Sequence, residues 1–99
     1  MTVETQRTIS AWAVNTFGKA SRQVIVDRAQ DEMRELFDAV CDGQPVADIA
    51  EEAADVAIVL MHLAQSLGVD LNAAIDAKMA KNRKRTWVIG GNGRGRHVK

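Results

Sequence analysis

The chain has no tyrosine and only four aromatic residues, Trp12, Phe17, Phe37 and Trp87. A core built on packed rings is therefore excluded, and the hydrophobic 46% leans on alanine. Ninety-nine residues suit one domain and bury only a modest core when folded alone. Part of the apolar surface is accordingly expected to lie against another subunit. The single cysteine, Cys41, rules out an intrachain disulfide and carries no zinc motif. No apolar run approaches the ~20 residues of a membrane span; the longest covers residues 56–61. The polar N-terminus lacks the apolar stretch of a secretory signal, so a cytoplasmic protein is expected. Net charge is also missing, but the zero hides an asymmetry. All thirteen acids lie at or before Asp76, whereas seven of the thirteen bases lie at or after Lys81. An acidic body with a basic end does not predict generic nucleic-acid binding. It suits a metal site beside an anion site.

What is present is helical periodicity. A first helix is predicted over residues 2–16, with Thr2 as N-cap, Gly18 as stop, and Ile9, Trp12, Ala13 and Phe17 at helical spacing. A second over 21–40 carries the stripe Ile25, Ala29, Met33, Leu36, Phe37 and Val40. Asp42-Gly43-Gln44-Pro45 is a turn, and a third helix over 45–67 follows, ended by Gly68. A fourth over 71–83 starts from Asp70 as N-cap. No segment alternates cleanly as a strand, and Gly90 to Arg96 reads as a flexible, basic, Gly-rich tail. Short connections imply antiparallel neighbours and an all-α four-helix bundle, completed by oligomerisation to a dimer or tetramer. The bundle domain is placed at residues 1–87 and the tail at 88–99.

Two acidic clusters stand out: Asp31-Glu32-Met33-Arg34-Glu35 and Glu51-Glu52-Ala53-Ala54-Asp55. Each pairs carboxylates three residues apart, which puts them on one helix face within about 60° of rotation. Surface helices often carry such acids, and Glu32 has Arg28 one turn back as an alternative partner. The surroundings argue otherwise. The third helix is apolar nearly all round after Asp55, and Glu32 borders the apolar stripe of the second. The clusters flank one tight turn, so a helical hairpin brings Glu32, Glu35, Glu52 and Asp55 to similar heights. Like charges so placed repel, and a hard divalent cation such as Mg²⁺ relieves them through oxygen ligands.

Lys78, Lys81, Asn82 and Arg85 share a face at the end of the fourth helix, a cationic stripe that suits a polyphosphate as well as a helix C-terminus. Trp12 and Trp87 are candidates for stacking on a base. His62, two turns after Asp55, reads as a partly buried structural histidine.

Taken together, these residues resemble the MazG-like nucleotide pyrophosphohydrolases. The family pattern E-E-x-x-E followed by E-x-x-D is matched by residues 31–35, with Asp31 replacing the first Glu, and by Glu52 to Asp55. Trp12 and Phe17-Gly18 precede it, and Lys78, Asn82, Arg85 and Trp87 match a Lys-x-x-x-Asn-x-x-Arg-x-Trp ending, so the resemblance spans residues 9–87. It implies hydrolysis of a nucleoside triphosphate to the monophosphate and pyrophosphate, with Mg²⁺ as cofactor and Mn²⁺ as a substitute. Glu32, Glu35, Glu52 and Asp55 would be the metal ligands, and Glu51 or Glu52 the general base. Lys78, Lys81, Asn82 and Arg85 would hold phosphates, and Trp12 would pack on or near the base. Asp31, with its shorter reach, is left out. Two other classes fit the sequence less fully: a non-catalytic helical adaptor, and a nucleic-acid binder acting through the basic tail.

Overall fold

Helix boundaries follow the capping chemistry. In the computed structural model, which describes residues 3–98, α1 runs Gln6–Phe17, α2 Arg22–Cys41, α3 Val46–Leu67 and α4 Leu71–Lys84. The start of α1 departs from the sequence reading. Thr5 is its N-cap, and Thr5 and Thr8 close a reciprocal capping box, so residues 3–5 are not helical. Thr2, the expected cap, lies outside the described residues. Ser21 caps α2 and Asp70 caps α4 through their side-chain oxygens. Gly68 ends α3 in the left-handed region at φ 72°, which no L side chain adopts cheaply.

All four predicted helices form, but they do not all pack. The α2–α3 hairpin is the main contact of the fold, and α1 lies on α3. The core is small: Ala13, Ile25, Ala39, Val56, Val59 and Ala64, together with the buried polar residues Ser10 and His62. By contrast, α4 buries no residue and leaves α3 at a bend of 98°. The antiparallel fourth helix that the short connection suggests is therefore absent from the isolated chain. The radius of gyration, 16.1 Å, records this, against about 13 Å for a compact chain of this length. Gln6 fixes the exit angle. Its side-chain amide donates to the Gln65 side chain and the Val69 carbonyl, and its oxygen accepts the backbone N–H of Leu71 at 2.9 Å. Among the described residues no single helix is long and apolar enough to cross a membrane.

The stretch read as a flexible tail is ordered into a hairpin. β1 (Thr86–Ile89) pairs antiparallel with β2 (Gly95–Val98), with Trp87 opposite His97 and Val88 opposite Arg96. The glycines taken as linker composition supply turn geometry instead: Gly91 and Gly93 adopt φ of 79° and 85°, and Asn92 accepts the Arg94 N–H. Trp87 anchors the hairpin to α4 by donating from Nε1 to the Asn82 carbonyl at 2.9 Å, and it meets His97 edge-on.

Candidate metal centre

The α2–α3 hairpin brings the two acidic clusters together. Glu32 from α2 and Glu52 and Asp55 from α3 each offer a carboxylate oxygen, and the three oxygens lie within 4.8 Å of one another. Glu35, one turn along α2, is close enough to perturb both Glu32 and Glu52. Burial pushes the Glu32 carboxyl above the ordinary carboxylate range, and the neighbouring Glu35, Asp55 and Glu52 push it further. Glu52 is raised in the same way, by burial first and then by Glu35, Asp55, Glu51 and Asp48. One Glu52 oxygen, Oε2, is buried with no hydrogen-bond partner. A buried carboxylate oxygen with neither donor nor cation nearby is costly. The donor set is all oxygen and all negative, which suits a hard divalent ion. Glu51, on the adjacent outer face of α3, is exposed.

Other expected residues fall elsewhere. Lys78, Lys81 and Asn82 ride on α4 and Arg85 follows it as C-cap. Because α4 departs near the far end of α3 and almost at right angles, its basic stripe lies more than about 20 Å from the carboxylates of the same chain, at 1.5 Å per residue. Asn82 is half-buried, and its Oδ1 has no partner. Trp12 is 54% exposed and meets Phe17 edge-on at 5.4 Å.

The sequence suggests Arg28 only as a partner for Glu32. Its guanidinium instead lies 4.6 Å over the Phe17 ring. It also occupies the same face of α2 as Ile25 and Glu32, by the i, i+3, i+7 spacing that the sequence already contains. The row Trp12–Phe17–Arg28 thus ends one helical turn before Glu32 on α2. The buried pair Ser10–His62, whose Oγ and Nδ1 are 2.8 Å apart, was not predicted as a pair, since 52 residues separate its members.

Comparison with known proteins identifies the family of the fold. The MazG-like family matches residues 25–98, a span that includes the C-terminal hairpin. The chain is 36% identical over 95 residues to a dATP/dGTP diphosphohydrolase of Salmonella phage PMBT28, covering 96% of this chain and 31% of that protein. It is 51% identical over 47 residues to the dATP/dGTP diphosphohydrolase of cyanophage S-2L, covering 48% of this chain and 45% of that one. The chain thus spans less than half the length of the curated relatives it matches. A solved structure of the cyanophage S-2L MazG-like pyrophosphohydrolase, bound to dGDP and three catalytic Mn²⁺ ions per active site, superposes with a TM-score of 0.76 at 34% identity, over 95% of this chain and 93% of that one. With a family match over most of its length and a relative of like size and fold, the chain belongs to the MazG-like family.

Proposed function

We propose that this protein is a divalent-metal-dependent nucleoside triphosphate pyrophosphohydrolase, acting in the cytoplasm on deoxypurine triphosphates. The observation that carries this reading is the carboxylate cluster of Glu32, Glu52 and Asp55, with an unpartnered buried oxygen on Glu52, in a chain whose relatives are dATP/dGTP diphosphohydrolases. Glu32, Glu35, Glu52 and Asp55 would hold the ions. Bound Mg²⁺ or Mn²⁺ supplies charge neutralisation at the phosphates and lowers the cost of bringing a polyanion against four carboxylates. The chain orients the substrate and accepts a proton. Water attacks the α-phosphorus with Glu51 or Glu52 as its proton acceptor, and pyrophosphate leaves. Neither the stretch of α2 around Glu32 and Glu35 (residues 28–39) nor that of α3 around Glu52 and Asp55 (residues 48–59) carries a serine or cysteine to act as a covalent nucleophile. Trp12, exposed at the end of the row through Phe17 to Arg28, packs against the nucleotide from outside. Turnover of dATP or dGTP that requires Mg²⁺ or Mn²⁺ and stops with chelator tests the reading; no turnover with either metal sinks it.

The working unit is a homo-oligomer, a dimer or tetramer, with nucleoside triphosphate as its other partner. Met33, Phe37 and Val40 on α2 are 50%, 65% and 55% exposed, and α4 exposes Ile75 and Met79, an apolar surface one chain leaves open. The distance between the carboxylates and the basic stripe points the same way. Lys78, Lys81, Asn82 and Arg85 reach a substrate only if a second copy brings its α4 over the cluster. Glu52→Gln and Lys78→Ala proteins, each impaired alone, should then regain activity when mixed and refolded, because roughly a quarter of the sites in random dimers draw both intact residues from different chains. Mixtures no more active than their components would place both functions in one chain.

A further inference from the structure

The small core holds one imidazole, and the chemistry of the carboxylates does not use it. His62 is 7% exposed, and Ser10, its partner from α1, 8%. Both line a cavity of about 460 Å³ beneath the connection between α1 and α2. This cavity is separate from the metal centre, because buried Val56 and Val59 fill the α2–α3 seam between Asp55 and His62. Val14 and Ile25 give it an apolar wall, and exposed Lys19 and Arg22 stand at its rim. Among the described residues no acid lines it.

Three kinds of donor meet there. The first is the imidazole. Ser10 Oγ lies 2.8 Å from His62 Nδ1, and among the described residues its hydroxyl has no other acceptor. Ser10 therefore donates to Nδ1, which leaves the ring proton on Nε2. Burial, and then the charge of Arg28, hold the His62 pKa below its ordinary value, so the ring is neutral near pH 7. Nε2 has no hydrogen bond among the described residues, yet it is not sealed in as Glu52 Oε2 and Asn82 Oδ1 are. The open space that His62 lines is the cavity, so the N–H is presented to it. The second kind is the cationic pair Lys19 and Arg22. The third is the N-terminus of α2. The N–H groups of Arg22 and Gln23 have no intrahelical acceptor, and the first turn carries no acid to balance the helix dipole.

We propose that this cavity is a second ligand site, independent of the carboxylate chemistry, for a small organic anion. Its carboxylate or phosphate head accepts hydrogen bonds from Lys19, Arg22 and His62 Nε2, and its apolar body lies against Val14 and Ile25. The donors fix the sign of the ligand: a cation would meet Lys19, Arg22 and the positive end of α2 with no acid to hold it. The apolar wall and the volume make it organic. The cavity falls within the ~300–1,000 Å³ of small-molecule pockets, far more than inorganic phosphate fills. A buried imidazole whose N–H faces an empty acceptor position is the feature that a protein core otherwise avoids.

The test titrates the full chain with phenyl phosphate, benzoate and the uncharged benzyl alcohol, by calorimetry and by ¹⁵N spectra of the imidazoles. Chelator is present throughout, so no anion is held through a bound metal. Before any ligand, His62 should show its proton on Nε2. Phenyl phosphate, benzoate or both should then bind and shift the His62 Nε2 signal, the tighter of the two marking the preferred head group, while benzyl alcohol should bind at least tenfold more weakly. Lys19→Ala with Arg22→Ala, two exposed positions whose loss leaves the core intact, should weaken anion binding by about tenfold or more, the usual effect of losing charge-assisted hydrogen bonds. Arg96→Ala, in the C-terminal hairpin, should leave it unchanged. Binding of neither anion would overturn the site, and benzyl alcohol binding as tightly as the anions would reduce it to an apolar hole. Anion binding that survives in the Lys19→Ala, Arg22→Ala protein, or that leaves the His62 signal in place, would put the anion elsewhere and overturn the assignment.

Discussion

Glu52→Gln should abolish most of the metal-dependent hydrolysis while making the metal-free protein more stable. The substitution keeps the shape and removes the charge. Glu52 contributes to the three-oxygen cluster, and its second oxygen is buried without a partner. Losing it removes a metal ligand outright, so kcat/KM should fall by more than the ~10–100-fold typical of losing an outer-shell partner. Without metal the sign reverses. Burial and the neighbouring Glu35, Asp55, Glu51 and Asp48 all disfavour the Glu52 charge, so a neutral amide relieves the folded state. Thermal unfolding in chelator should show a higher Tm for the variant, and calorimetric titration should show weakened binding of Mg²⁺ or Mn²⁺. A variant that binds metal like the parent would mean the site is elsewhere. Glu51→Gln separates ligand from base: a residue that only accepts the proton lowers kcat at unchanged metal affinity.

The metal-free parent should lose stability as pH rises through the carboxylate range, and divalent metal should restore it. Glu32 and Glu52 both have folded-state pKa values above their ordinary ones. The folded state then binds protons more tightly than the unfolded chain. The resulting contribution is present in full below the ordinary carboxylate pKa and lost as pH rises through the raised folded values. His62 acts in the opposite sense. Its lowered pKa favours folding above its ordinary value, and that contribution is lost as pH falls below it. Comparing the parent with Glu52→Gln over this range isolates the cluster, because His62 is common to both. At 100 times its Kd, a ligand specific to the folded state adds about 2.7 kcal/mol, or a Tm rise of about 10–20 °C for a chain of this size. The rise should shrink in Glu35→Gln and Asp55→Asn, and should vanish at low pH, where protons compete for the carboxylates. Equal Tm with and without metal at neutral pH would count against the site.

The parts of this account legible in the sequence are those governed by helical spacing. Acid pairs three apart, flanking a Gly-Pro turn, are enough to place Glu32, Glu52 and Asp55 together, because an antiparallel hairpin leaves little choice of register. The direction of α4 was not legible. It depends on the left-handed Gly68 and on Gln6, whose side chain reaches residues more than fifty positions away. Periodicity cannot register such a contact, and the rule that short connections give antiparallel neighbours fails here. By composition Gly90 to Arg96 reads as a linker, whereas in the hairpin its glycines Gly91 and Gly93 are needed for their φ angles. Arg28 lay in plain view at helical spacing from Glu32. Helical spacing suggests an ion pair with that carboxylate, whereas the guanidinium covers the Phe17 ring.

The most direct test of the central claim is the fate of the oxygen from water. The protein is incubated with dGTP and Mg²⁺ or Mn²⁺ in ¹⁸O-labelled water, and the first products are analysed by mass spectrometry. Metal-assisted attack at the α-phosphorus predicts label in dGMP and unlabelled pyrophosphate, with no label incorporated by the Glu52→Gln protein on the same time scale. Orthophosphate and dGDP as the primary products, or labelled pyrophosphate beside unlabelled dGMP, would contradict it.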